Sequence, residues 1–157
     1  MEIKGYLPDP ITNMPIIVLR ELHGQRVLPI WVGVFEANAI HLQIEGIQPP
    51  RPMTHDLLKT MIHELGGQVE RIVVCDLKEN TFYATLHVRS ERGALAVDAR
   101  PSDAIALALR TGARIFVEDA VIQNARSVES SREPMDIGRL QRWLENLSEE
   151  DLGRYKM

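Results

Sequence analysis

The spacing of apolar residues changes several times along this chain, from strand-like runs to helical periodicity and back. Residues 16–19 and 26–32 are two β-rich runs, and Gly24 between them can supply the positive φ of a tight hairpin loop. After Gly33 the apolar residues recur at helical spacing instead. Because both periods occur in one short chain, the sequence predicts a mixed α/β (α+β) fold.

We expect a single domain with one mixed sheet, covered by about three main helices. Its strands come from two β-hairpins and a strand-helix-strand unit, and Pro29 predicts an edge or a bulge because proline cannot donate to a ladder. The predicted strands are residues 3–7, 16–19, 26–32, 69–77, 81–88, 95–99 and 114–117. The helices are expected between Gly33 and Gly46, from a Thr54 N-cap to Leu65, and over 104–109. Both of the first two helices look amphipathic, and the face formed by residues 61–65 is predicted to lie in the core.

The chain has 157 residues, of which 45% are hydrophobic, and this suits one domain that needs no disulfides or structural metal. We divide it into a main unit at 1–125 and a polar loop with a C-terminal helical extension at 126–157. The polar composition of 123–136 predicts a surface loop. A final helix is predicted from Ile137, Leu140, Trp143, Leu144 and Leu147.

Cysteine usage and hydropathy predict a soluble cytoplasmic protein. Cys75 is the single cysteine, so no internal disulfide can form. No apolar run reaches the length of a membrane span, and the first ten residues lack the pattern of a signal peptide. The net charge of -4 disfavours bulk electrostatic binding to nucleic acid but leaves room for a local site.

Polar residues cluster at three helix entrances, where unpaired N–H groups favour an anion such as phosphate. The alternative is that these residues have only a structural role, in which they cap the helices and complement the helix dipoles. The clusters are Glu36 with Asn38, Arg51 with Thr54, His55 and Asp56, and Asp98 with Arg100, Ser102 and Asp103.

Among the histidines, His55 is the strongest candidate for acid-base or metal-ligand chemistry, because it follows a rigid proline-rich loop and precedes Asp56. His23 lies in a hairpin loop and His87 in a strand, so both are expected to be solvated or hydrogen-bonded. His41 and His63 lie on helices among apolar residues and are expected to have structural roles.

Four motifs, in order, resemble the bifunctional nuclease domain family, formerly a domain of unknown function. The resemblance extends over about residues 2–122 and implies cleavage of RNA and DNA, an activity after which the family's plant members are named. Residues from 123 onward resemble the extension of actinobacterial members, so we expect a bacterial protein. The motifs are 28–33 with Glu36 and Ala37, 50–57, 81–84 and 98–110.

Together, the resemblance and the helix entrances point to phosphodiester hydrolysis assisted by a divalent metal, Mg²⁺ or Mn²⁺. As a hypothesis, we assign metal binding to Glu36, Asp98 and Asp103. Catalysis is assigned to His55, Asp56, Arg100 and Asp103, with His55 moving a proton, and substrate binding to Arg51, Thr54 and Ser102.

A second hypothesis from a different class stays open. In it, the chain is a non-catalytic binding or regulatory domain whose charged cluster is structural or binds an anionic ligand. The acidic composition and low aromatic content favour this alternative, because single-strand binders combine basic grooves with stacking rings. A homodimer is expected under either hypothesis, since two-fold dimers are common and the edge strands need covering.

Overall fold

The computed structural model describes residues 1–9 and 12–131, with side chains described as far as residue 125. Its first sheet has three antiparallel strands in the order β1-β2-β3. Pro29 lies on β3, opposite Val18 of β2. Because β3 is an edge strand of this sheet, the predicted edge position is confirmed. The strands are β1 (Glu2–Pro8), β2 (Pro15–Arg20) and β3 (Val27–Trp31).

The second sheet has four strands in the order β6-β5-β4-β7. Its central hairpin turns at Glu79 and Asn80, which both have positive φ, as a two-residue hairpin loop requires. The short last strand pairs parallel with β4, whereas the other two ladders are antiparallel. The strands are β4 (Gln68–Lys78), β5 (Thr81–Ser90), β6 (Gly93–Ala99) and β7 (Arg114–Val117).

The mixed α+β class is therefore confirmed, while the expectation of one sheet is corrected. The two predicted hairpins form, but they lie in different sheets. The predicted strand-helix-strand unit also forms, yet β6 and β7 occupy opposite edges of the second sheet, with β5 and β4 between them. Local spacing along the chain identifies strands, but it does not determine which strands become neighbours.

Four helices complete the described fold. The third is the central one: its residues 104–108 are almost fully inaccessible, and it packs against the first two helices and the second sheet. It ends at Gly112, whose φ of 71° is the left-handed conformation that glycine adopts at low cost. The helices are α1 (Val34–Ile44), α2 (Thr54–Glu64), α3 (Pro101–Thr111) and α4 (Asp119–Ser131).

The surface loop predicted over 123–136 is wrong as far as residue 131, because helix α4 extends to that residue. Val121, Ile122 and Ala125 are buried, and this apolar stripe holds the segment in helical form despite its polar composition. The helix predicted from Ile137 onward lies outside the described residues. None of the described helices combines the length and the apolar character needed to cross a membrane.

Helix α2 differs from its prediction in two ways. Its N-cap is Met53 rather than Thr54, and the Met53 N–H donates to the Asp56 carboxylate at 2.8 Å. Of its eleven residues only His55 is buried. The core face predicted over residues 61–65 is wrong for Met61 and Leu65, which are 50% and 77% exposed, whereas Ile62 is partly buried against the core. Leu57 and Leu58 of the same helix are exposed as well.

Candidate active site

The N-termini of α2 and α3 bring a histidine and an aspartate together across 48 positions of sequence. The Nε2 atom of His55 lies 3.0 Å from Oδ1 of Asp103. His55 is the second residue of α2 and is buried, whereas Asp103 is the third residue of α3. Within the described part of the chain, no group bonds the Nδ1 atom of His55. The pair therefore leaves one ring nitrogen available to a ligand.

Arg100 joins this pair to a second carboxylate. Its Nε donates to Oδ2 of Asp103 at 2.7 Å, and its Nη2 lies 2.8 Å from Oε1 of Glu36. The Arg100 side chain remains 66% exposed. Burial alone would raise the pKa of Asp103, but the hydrogen bonds from Arg100 and His55 outweigh it and hold that pKa below its ordinary value. Asp103 is thus ionised at neutral pH, and the facing His55 Nε2 carries the proton that it donates.

Glu36 folds back over the start of its own helix. A Cβ atom added at Gly33 would collide with the Glu36 carboxylate, so the absence of a side chain at Gly33 gives that carboxylate its place. From there Glu36 reaches Arg100, and α1 becomes connected to the start of α3. Glu36, Arg100, Asp103 and His55 form one continuous chain of bonded side chains, which we call the charged relay.

Asp56 belongs to a different network. Its Oδ1 accepts a hydrogen bond of 2.6 Å from Nε of Arg110, whose side chain is only 4% exposed. Arg110 also donates to the carbonyl oxygens of Ala106 and Ala39, at 2.9 and 3.1 Å. Burial would raise the pKa of Asp56, but bonds from the Met53 N–H and Arg110 lower it overall. This pair links α1, α2 and α3, and sequence reasoning missed Arg110.

The other predicted residues are divided among three cavities. Thr54 lies with His55, Arg100 and Asp103 along an open groove of about 950 Å³ between α2 and β6. Arg51 and Asp56 line a separate cavity of about 370 Å³. Ser102 lines a third, of about 510 Å³, which meets the groove only at Arg100. The structure therefore brings Thr54, His55, Arg100 and Asp103 to one groove and leaves Arg51 and Asp56 apart.

Asp98 borders the same groove but belongs to the other face of the sheet. In the β5–β6 ladder it is opposite Thr85, whereas Val97 and Ala99 are opposite the buried residues Leu86 and Ala84. Successive side chains of a strand alternate between faces, so the Asp98 carboxylate does not join the charged relay.

The predicted metal ligands do not fit a divalent cation in this arrangement. Glu36 and Asp103 both bind the Arg100 guanidinium, and Asp98 lies on the far side of its strand. Among residues 1–9 and 12–125, whose side chains are described, no three His, Cys, Asp or Glu side chains are grouped so that they could hold a metal ion. A carboxylate already neutralised by arginine is a poor ligand for Mg²⁺ or Mn²⁺, which require free oxygens.

Comparison with known proteins relates the chain to both bacterial and plant sequences. An uncharacterized protein of Mycobacterium tuberculosis is 44% identical over 125 residues, which cover 80% of this chain and 74% of that protein. Bifunctional nuclease 1 of Arabidopsis thaliana is 27% identical over 133 residues, or 82% of this chain and 41% of that protein. Bifunctional nuclease 1 of Oryza sativa subsp. japonica is 25% identical over 121 residues, 75% of this chain and 37% of the relative. The chain thus spans less than half of these plant proteins.

A family match covers most of the chain. Residues 17–130 match the bifunctional nuclease domain, and this range contains the charged relay, the groove and the buried Asp56–Arg110 pair. The chain therefore belongs to the bifunctional nuclease domain family.

Proposed function

We propose that the chain hydrolyses phosphodiester bonds of RNA or DNA, with His55 as the group that accepts a proton from the attacking oxygen. The observation that carries this proposal is the 3.0 Å contact between His55 Nε2 and Asp103, which leaves Nδ1 unbonded at the wall of an open groove. The names of the plant relatives supply the substrate class.

We propose a role for each member of the charged relay, supported by its contacts. Asp103 accepts a hydrogen bond from the Nε2–H of His55, so the lone pair of the ring lies on Nδ1, where a general base needs it. Nδ1 takes a proton from the attacking water as the new P–O bond forms. The P–O bond to the sugar breaks, and solvent protonates the leaving sugar oxygen. Arg100 is largely exposed and has five N–H donors, so it can bind non-bridging phosphate oxygens while it still holds Asp103. Glu36 orients Arg100 from the other side. Because the donor set does not fit a divalent cation, the proposal assigns no step to Mg²⁺ or Mn²⁺.

The decisive experiment compares two histidines of one helix. His55→Gln is expected to lower the rate of cleavage of single-stranded RNA or DNA by about 100-fold or more, the usual contribution of a general base. His63→Gln is the matched control, because His63 lies on the same helix with its side chain 84% exposed. Assays with EDTA and with added Mg²⁺ or Mn²⁺ accompany both variants. Equal activity of the two variants would remove His55 from the mechanism.

A second candidate, a dimeric binding domain, is favoured by a different observation. The exposed apolar face of α2 adjoins β6, in which none of the seven residues is buried. Within the described residues, nothing pairs with the outer side of β6, and this strand has neither the lysine nor the proline that usually protects an edge. We propose that a second copy of the chain covers this surface, because an edge strand can pair antiparallel with itself across a two-fold axis.

Light scattering on the purified chain tests the dimer. Val97→Lys on β6 is expected to convert a dimer into a monomer by placing a charge in the interface. Phe116→Lys is the control, since it changes an exposed apolar residue on the opposite edge of the same sheet. A wild-type chain that is monomeric at all concentrations would contradict this candidate.

The cytoplasmic location remains a prediction from the single cysteine.

A further inference from the structure

A second cavity opens on the other side of Arg100 from the groove. It lies between the end of β3, the β4–β5 turn and the start of α3, and its volume is about 510 Å³. This volume lies within the range of cavities that hold small molecules. We call it the Ser102 cleft, and its lining includes Met14, Trp31, Phe82, Arg100 and Ser102.

The polar side of the Ser102 cleft includes a hydroxyl that is open to solvent. Ser102 is only 7% exposed as a whole, and within the described residues its hydroxyl makes no hydrogen bond. Because no buried side-chain oxygen or nitrogen of the described residues lacks a partner, this hydroxyl keeps contact with solvent, and Ser102 lines the cleft. A bound ligand can therefore replace the water that bonds the hydroxyl.

The start of α3 adds donors at the same place. The first N–H bonded within this eleven-residue helix is that of Ala104, which donates to the Arg100 carbonyl at 3.0 Å. The N–H groups of Ser102 and Asp103 precede it, and no side chain caps this end of the helix. Together with the Arg100 guanidinium, they offer an anion several donors close to the Ser102 hydroxyl.

The opposite wall of the cleft combines aromatic side chains with the Asp9 carboxylate, which accepts hydrogen bonds from the Thr12 N–H and the Trp31 indole. Trp31 and Phe82 are both partly buried, and the Trp31 indole N–H is held by Oδ2 of Asp9 at 2.6 Å. Met14 next to them is 46% exposed. A fixed aromatic wall facing a set of anion donors suits a molecule with a flat ring at one end and a phosphate at the other.

We infer that the Ser102 cleft binds one nucleotide unit of a single-stranded nucleic acid. Its phosphate contacts the Ser102 hydroxyl and Arg100, and its base lies against Trp31 and Phe82. The inference rests on the proposed function for the polymer to which this unit belongs. It places the neighbouring phosphodiester beside Arg100, where the cleft meets the groove that contains His55.

Calorimetric titration of the full chain tests this site with defined probes. AMP and UMP are expected to bind, and both adenosine and inorganic phosphate are expected to bind more weakly than either nucleotide. Ser102→Ala should weaken nucleotide binding about tenfold, the usual effect of removing a hydrogen bond to a charged group. Ser90→Ala is the control, because Ser90 lines the groove and not the Ser102 cleft.

Phe82→Leu provides a second test on the opposite wall, and keeps the inference open to refutation if Ser102→Ala does not fold. This substitution should weaken the binding of AMP more than the binding of inorganic phosphate. Phosphate binding equal to AMP binding, or nucleotide affinity unchanged by the substitutions, would overturn the assignment. If nucleotides bind as described while the chain cleaves neither RNA nor DNA, the proposed nuclease function fails and the Ser102 cleft stands. Cleavage that His55→Gln leaves unaffected removes only the role of His55.

Discussion

His55 Nε2 and Asp103 Oδ1 lie 3.0 Å apart although 48 residues separate them in the chain. Each comes from the first turn of its helix, so the contact fixes how α2 and α3 approach each other at their N-termini. The same contact sets the tautomer of the histidine. An ionised carboxylate can only accept a hydrogen bond, so the ring proton must lie on Nε2. One hydrogen bond therefore joins two helices and prepares the ring for proton transfer.

Asp103 makes the stability of the fold depend on pH in acid. Its pKa in the folded state lies below the ordinary value of 3.8, so its contribution is present above that value and is lost as the pH falls through the folded pKa. Denaturant unfolding between about pH 5 and about pH 3 should show falling stability, and Asp103→Asn should flatten that fall. An identical pH profile for the variant would show that Asp103 makes no such contribution.

Arg110→Ala is expected to destabilise the fold strongly. The substitution removes three hydrogen bonds at once and leaves the carbonyls of Ala39 and Ala106 without this donor. Because Arg110 is only 4% exposed but Asp56 is 29% exposed, we expect the loss to cost about 2 kcal/mol, in the range for hydrogen bonds to charged groups. Urea unfolding measures the difference, with Arg114→Ala on the exposed start of β7 as the control. A difference under about 1 kcal/mol between the two variants would contradict this view of the pair.

Gly33→Ala tests whether Glu36 matters for the charged relay. The new methyl group would occupy the place of the Glu36 carboxylate, and a flexible side chain can move away at little cost in stability. We therefore expect a small change in the free energy of unfolding but the loss of the Glu36–Arg100 contact. If that contact orients Arg100, Gly33→Ala and Glu36→Gln should lower the cleavage rate by similar factors, and the double variant by no more than either. Fully multiplicative effects would show that the two positions act independently.

The sequence predicts the positions of strands and helices better than it predicts which of their faces are buried. Both hairpins and the first three helices lie where periodicity predicts them, because this signal depends on near neighbours. The positive φ predicted at Gly24 in the first hairpin loop is wrong, since Gly24 is not among the described glycines with positive φ. The exposed face of α2 was not predictable in this way. An apolar stripe indicates that a helix has a partner surface, but it does not indicate whether that surface belongs to the same molecule.

The candidate site shows the same division. His55, Arg100 and Asp103 stand out because each lies at a helix entrance, and the structure brings these three together. Asp56 looks equivalent in sequence, yet it is paired with Arg110 from the far end of α3. At a helix C-terminus an arginine is expected to complement the dipole, and only the tertiary packing shows that it is buried. The face occupied by Asp98 likewise depends on the register with β5.

Arg100 borders both the groove and the Ser102 cleft, so binding in either cavity involves the same side chain. An anion bound on either side contacts the same guanidinium that holds Asp103, and Asp103 in turn orients the His55 imidazole. Occupancy on one side is thereby communicated to the other, and thermodynamic linkage requires the influence to be mutual. Through this one side chain, the strength of binding in the groove would depend on whether the Ser102 cleft is occupied.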